Sequence, residues 1–222
     1  VRSARPSAFE AHIGLGKDNP SSNVVSADAV PLDGSDVSLH GKIDRVDLTA
    51  DGGIVTYDYK TGGTPSESET LDGHRFQLPA YLLMAEAAFD GEAIGASYYQ
   101  VNPSSSVSFH AGTIGAEADA SHYYSQSADP LQRVQSLEFE TRDEFQEFLH
   151  TDVAERIEDI ATAVRAGSFH PTVLDPDQAG CEHCDYRDAC DVRHHQRHEV
   201  QETLTADDVP HYIPTEWGAD NE

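Results

Sequence analysis

The 222 residues carry 40 Asp and Glu against 14 Lys and Arg, a formal net charge of −26, and 38% of them are hydrophobic. No run of about 18 or more apolar residues occurs, which excludes a membrane-spanning helix. Nine Tyr, eight Phe and clear strand and helix patterns exclude a disordered acidic chain.

Residues 7–15 (SAFEAHIGL) alternate Phe9, Ala11, Ile13 and Leu15, as a strand does. Residues 18–36, rich in Asn, Pro, Ser, Asp and Gly, read as an irregular connection. Residues 37–49 give a second strand, Asp51-Gly52-Gly53 a hairpin turn, and Ile54 to Lys60 a third strand. A helix is predicted over 72–89, with Phe76, Tyr81, Leu82, Met84, Ala85 and Phe89 on a buried stripe and Pro79 near its first turns. Residues 94–101 form another strand, and 102–130, rich in Ser, Gly, Ala and Asp, give no clear pattern. Thr141-Arg142-Asp143-Glu144 matches a capping box that opens a helix to about Ala166, with Gly167 as its stop. This order implies an α/β domain with a mixed sheet.

Charged residues are 24% of the chain, an ordinary share, so acids replace lysines rather than adding charge; only Lys17, Lys42 and Lys60 are lysines. One reading is a protein that repels nucleic acid, because DNA binding ordinarily uses a basic face. The favoured reading is a halophilic chain in a salt-rich cytosol, where a Debye length of about 3 Å at 1 M salt screens self-repulsion. Under it, net charge says little against a nucleic-acid partner.

The stretches GKIDRVD (41–47) and IVTYDYKTG (54–62) hold polar residues where a core is expected. Residues two apart on a strand share a face, so Asp58 and Lys60 point one way and Tyr57 and Tyr59 the other. The tight turn makes the two strands antiparallel neighbours, which lets Asp44 approach Asp58. Converging carboxylates repel, and a hard cation such as Mg²⁺ relieves the repulsion with oxygen ligands. A lysine beside that cation can orient a water or stabilise charge on phosphate. For the acid-x-Lys triplet alone, a surface hairpin with an Asp58–Lys60 ion pair is the plainer reading.

Cys181, Cys184 and Cys190 are spaced C-x2-C-x5-C. An odd, clustered set is no disulfide framework and fits a reducing cytoplasm and a metal site. On spacing alone the site suits zinc, with a fourth ligand from His183, His194, His195 or His198.

Three segments together decide between these readings: Gly41-x-x-Asp44-Arg45-x-Asp47, Val55-x-Tyr57-Asp58-Tyr59-Lys60-Thr61-Gly62, and Gln77-x-x-x-Tyr81. They closely resemble the RecB/AddB-like branch of the PD-(D/E)xK nucleases, which includes CRISPR-associated RecB-like exonucleases. The resemblance is dense over 37–101 and resumes at the cysteines. It implies a restriction-endonuclease-like mixed β-sheet core flanked by helices, with a C-terminal Cys-rich metal-cluster element at 181–190 inside a nuclease domain of 1–198, followed by an acidic tail of 199–222. It implies that Asp44 and Asp58 bind Mg²⁺ or Mn²⁺ with the Tyr59 carbonyl, that Lys60 is the catalytic lysine, and that Gln77 and Tyr81 lie near the active site and DNA. For Arg45 and Asp47 a local ion pair is the expectation.

The resemblance further implies a [4Fe–4S] cluster on Cys181, Cys184 and Cys190, completed by a fourth cysteine outside this chain, with zinc as the alternative. The family's catalytic His on a helix before the first strand has no counterpart here, since His12 lies in a strand. Both gaps lead to the expectation of a C-terminal nuclease portion of a larger protein. The implied function is a cytoplasmic exonuclease acting on DNA in repair, recombination or CRISPR adaptation, with a helicase as possible partner. The alternatives are a catalytically incomplete nucleic-acid-binding scaffold and a zinc-stabilised domain.

Overall fold

A computed structural model describes residues 4–14, 16, 24–26, 28–61, 76–101, 108–116, 119 and 135–167. The long strands are β1 (Arg5–Ile13), β5 (Gly41–Leu48), β6 (Gly53–Lys60), β7 (Glu92–Val101), β8 (Ser108–Ala116) and β9 (Gln135–Phe139). The short ones are β2 (Val24–Ser26), β3 (Val30–Pro31) and β4 (Ser38–Leu39). Helix α1 spans Gln77–Phe89, α2 spans Arg142–Glu147, a π-helical segment covers Phe148–Val153, and α3 spans Ala154–Arg165. The chain divides into two compact units, 1–158 and 159–222, and the division falls within α3.

Seven strands of the first unit form one sheet in the order β2-β1-β5-β6-β7-β8-β9, with β3 and β4 paired separately. The sheet is mixed: β6 runs parallel to β7 and antiparallel to β5. The α/β class expected from the element order is therefore present. A parallel step needs a crossover, and α1 supplies it between β6 and β7. Strand β6 is central, and Gly53 through Asp58 are buried.

The hairpin closes as its residues require. Gly52 has φ +89°, Thr49 N–H donates to Gly53 O at 2.8 Å, and Gly53 N–H donates to Thr49 Oγ1 at 2.7 Å. A side chain at Gly91 would meet the Gly52 carbonyl oxygen at 2.5 Å, so only glycine lets β7 start here.

Helix α1 begins at Gln77, which puts Pro79 in its first turn, where proline is tolerated. It buries Leu78, Leu82, Leu83, Met84 and Ala85. Met84 and Ala85 join Ile13, Ile43, Val46 and Ile54, whereas Leu82 joins Ala96, Tyr98, Ile114 and the aromatics of α2 and the π segment. The predicted second strand is two pieces, β4 and β5, separated at His40. Two further strands lie where the sequence pattern gave no clear reading or none at all, β8 at 108–116 and β9 at 135–139.

The capping box forms as predicted. Thr141 Oγ1 accepts from Glu144 N–H at 3.2 Å, and Glu144 Oε2 accepts from Thr141 N–H at 3.3 Å. Gly167, at φ +72°, lies just past the helix end, and its N–H bonds the Val164 carbonyl. The π segment between α2 and α3 was not expected. It lies among apolar positions four apart, Phe145, Leu149, Val153 and Ile157, all in one core cluster. A straight α-helix rotates such a series off one face, and the wider π turn takes up the difference.

Candidate functional site

The end of β6 forms the floor of the site. Asp58 and Lys60 share a face, and Lys60 Nζ lies 2.7 Å from Asp58 Oδ2. The Asp58 side chain is 5% exposed and that of Lys60 27%. The ammonium supplies charge but not direction, because the buried Oδ2 has no partner in hydrogen-bond geometry. Burial pushes the Asp58 carboxyl above the usual range; Lys60 opposes the shift and Asp44 adds to it.

Lys60 Nζ instead donates to Gln77 Oε1 at 2.7 Å, and Gln77 Nε2 donates to Tyr81 OH at 3.0 Å. Gln77 and Tyr81 are four apart on α1 and so share a face. A hydrogen-bonded chain thus runs from β6 into the start of the crossover helix. Burial raises the Tyr81 phenol; the Gln77 bond works against this, and Asp58 and Asp44 reinforce it. The Lys60 ammonium also lies 5.4 Å from the centre of the Tyr98 ring on β7.

Asp44 arrives from β5 through a break in the sheet. The β5–β6 ladder runs from Leu48↔Ile54 to Arg45↔Tyr57. Beyond it, β5 stays paired with β1 to Gly41, and β6 with β7 to Lys60. Asp44 and Asp58 occupy the next position, where the two strands part. There Asp44 Oδ2 accepts the Tyr59 N–H at 2.9 Å, replacing a backbone rung.

Strand β1 is irregular at the same level. Between the pairs Phe9↔Arg45 and Ala11↔Ile43, Glu10 has φ +51°, and its carboxylate holds the Lys42 ammonium. Lys42 is pushed up chiefly by that bond, with a smaller contribution from Asp44.

Arg45 and Asp47 form the predicted local ion pair: Nε to Oδ1 at 2.6 Å and Nη2 to Oδ2 at 2.5 Å. The Arg45 guanidinium also lies over the Tyr57 ring at 4.6 Å. Burial is the first cause that pushes the Tyr57 phenol up to about 12.

These residues fit a hard divalent cation. The Asp44 carboxylate adds to the upward push on the buried Asp58 carboxyl, and one buried Asp58 oxygen lacks a hydrogen bond. Among the described residues no group of three or more His, Cys, Asp or Glu could hold a metal. Asp44 and Asp58 are a two-acid set, and Mg²⁺ commonly completes its shell with water, backbone or substrate oxygens.

A family model described as the PD-(D/E)XK nuclease superfamily matches residues 1–191. The chain belongs to that superfamily. A search among curated proteins finds no match. Superfamily members are usually nucleases that use Mg²⁺ or Mn²⁺, which gives this chain a metal-dependent nuclease fold with DNA as the implied substrate. The seven-stranded mixed sheet with its helices is consistent with a restriction-endonuclease-like core.

The structure brings Asp44, Asp58, Tyr59, Lys60, Gln77 and Tyr81 together. Cys181, Cys184 and Cys190, the 198/199 boundary and the acidic tail lie outside the described residues. Sequence reasoning missed the Glu10–Lys42 pair and the buried Thr56 hydroxyl, which has no hydrogen-bond partner. Thr56 is two residues before Asp58, so strand periodicity alone could have placed it on the same face; nothing in FEAHI signals the turn of backbone at Glu10. No described helix is long and apolar enough to cross a membrane.

Proposed function

We propose that this chain is a Mg²⁺- or Mn²⁺-dependent deoxyribonuclease of the RecB/AddB-like branch, exonucleolytic, and working in DNA repair, recombination or CRISPR adaptation. The observation that supports it is the convergence of Asp44 and Asp58 beside a lysine tethered by Gln77. Asp44 and Asp58 would hold the cation with the Tyr59 carbonyl, and the bound cation would activate water and neutralise charge on phosphate.

The chain's own groups do the rest. Lys60, fixed between Asp58 and Gln77, presents an ammonium to the phosphate oxygen on which charge grows. Gln77 and Tyr81 hold that ammonium on the α1 side, so it needs no reorganisation when charge develops.

In the same proposal Cys181, Cys184 and Cys190 ligate a [4Fe–4S] cluster, the chain is cytoplasmic and halophilic, and a helicase feeds the site. Iron and sulfide analysis of anaerobically purified protein tests the cluster, and zinc without sulfide would replace it. The decisive experiment is DNA degradation in molar KCl with Mg²⁺ or Mn²⁺, wild type against Lys60→Ala. Cleavage by the wild type that Lys60→Ala abolishes is expected. Equal cleavage by both refutes the assigned role.

A further inference from the structure

Lys42 belongs to no motif of the carboxylate site, and three observations draw attention to it. The chain has only three lysines, and two of them, Lys42 and Lys60, are on the adjacent strands that carry Asp44 and Asp58. Lys42 is two residues before Asp44, and a side chain at Gly41 beside it would meet Met84 of α1, one turn beyond Tyr81. Its partner Glu10 adopts a left-handed backbone inside a strand, a conformation unfavourable for a residue other than glycine.

That cost is local to the place where the sheet opens. Glu10 lies on β1 level with Asp44, between the last regular pairs on either side. The contact it gains is an ion pair with side chains 44% and 53% exposed, a class that contributes little to stability. So weak a contact does not repay the strain, and strain of this kind points to function rather than to stability. A weak, exposed pair is also one that a better anion displaces.

We propose that Lys42 is a second phosphate-binding cation of the site, and that Glu10 occupies it until a nucleic-acid phosphate takes its place. The proposal rests on the nuclease reading. Glu10 is then a positioning residue. It keeps the Lys42 ammonium beside the parted strands and lowers affinity for nucleic acid by competing with it. In a chain of net charge −26 this competition also disfavours non-productive anion binding at the entrance to the site.

The test uses the full chain and a short fluorescein-labelled single-stranded oligonucleotide. Binding is read by anisotropy over the range of KCl in which circular dichroism shows the protein folded. Cleavage is read in parallel with Mn²⁺. Lys42→Met is expected to weaken binding about fivefold and to lower the salt slope by about 0.7, one single-strand phosphate contact. KM should rise with kcat within about twofold, and Lys42→Arg should restore both. Glu10→Gln should bind more tightly than the wild type, and Glu10→Gln with Lys42→Met should match Lys42→Met alone. Unchanged binding and slope in Lys42→Met, or weaker binding in Glu10→Gln, overturns this proposal while leaving the nuclease reading intact. Absence of binding and cleavage in the wild type overturns both.

Discussion

Replacing Lys60 with Met, in the absence of divalent metal, separates the lysine's structural role from its chemical one. The substitution keeps a side chain of similar length and removes the charge. The ammonium lies 2.7 Å from an Asp58 carboxylate that is 5% exposed, and it donates to Gln77 at 2.7 Å. Breaking a buried pair from one side costs about 3–5 kcal/mol, and a fully exposed pair about 0–1 kcal/mol. Lys60 is 27% exposed, so water reaches the vacated position and the expected cost is about 2 kcal/mol. For a chain of this size that is a fall in Tm of about 4–8 °C.

The sign of the pH dependence follows from Asp58, whose carboxyl is already raised by burial. Without Lys60 it rises further. A raised carboxyl means the folded chain holds the proton more tightly than the unfolded chain, so stability is lost as pH climbs through the folded value. The Lys60→Met deficit is therefore full at neutral pH and shrinks as acid protonates Asp58 in the folded state. Asp58→Asn in the same chain should recover most of the lost stability and none of the cleavage. Thermal unfolding by circular dichroism in EDTA and molar KCl, across pH and for all four members of the cycle, provides the measurement. A deficit that is the same with and without Asp58→Asn, or constant with pH, would refute the coupling.

Asp44→Asn keeps an acceptor for the Tyr59 N–H and should leave Tm within about 2 °C, whereas Asp44→Ala should cost about 1 kcal/mol. Both should lose metal binding in titration calorimetry. Phe145, fully buried against Phe139 at 5.4 Å between ring centres, should cost about 3–5 kcal/mol as Ala, read by denaturant unfolding. Thr141→Ala removes one half of the capping box and should cost about 1 kcal/mol in the same assay.

Much of the site was legible because its spacings are those of regular structure. A period of two puts Asp58 and Lys60 on one face, and a separation of four stacks Gln77 over Tyr81; the contacts follow directly. The device that opens the site was not legible. Glu10 takes a left-handed backbone in a segment whose alternation reads as an ordinary strand, and the end of a ladder at Arg45↔Tyr57 depends on pairing, not on residue type. Strand β8 escaped because its Ser, Gly and Ala offer little alternation, and β9 because in five residues only Leu137 and Phe139 alternate. Their place is set by neighbours in the sheet, with β7 and β8 antiparallel and β8 and β9 parallel. The π segment escaped because apolar residues four apart mimic an unbroken helix.

The central position of β6 bears on how a cation would be received. With β5 on one side as far as Tyr57 and β7 along the other to Lys60, the strand that carries Asp58 is buried from Gly53 to Asp58. Its amides should be among the slowest in the chain to exchange with deuterium, whether or not metal is present. Such a floor is ordered by the fold itself. The ligand's binding energy is then not drawn down by fixing the carboxylate on β6.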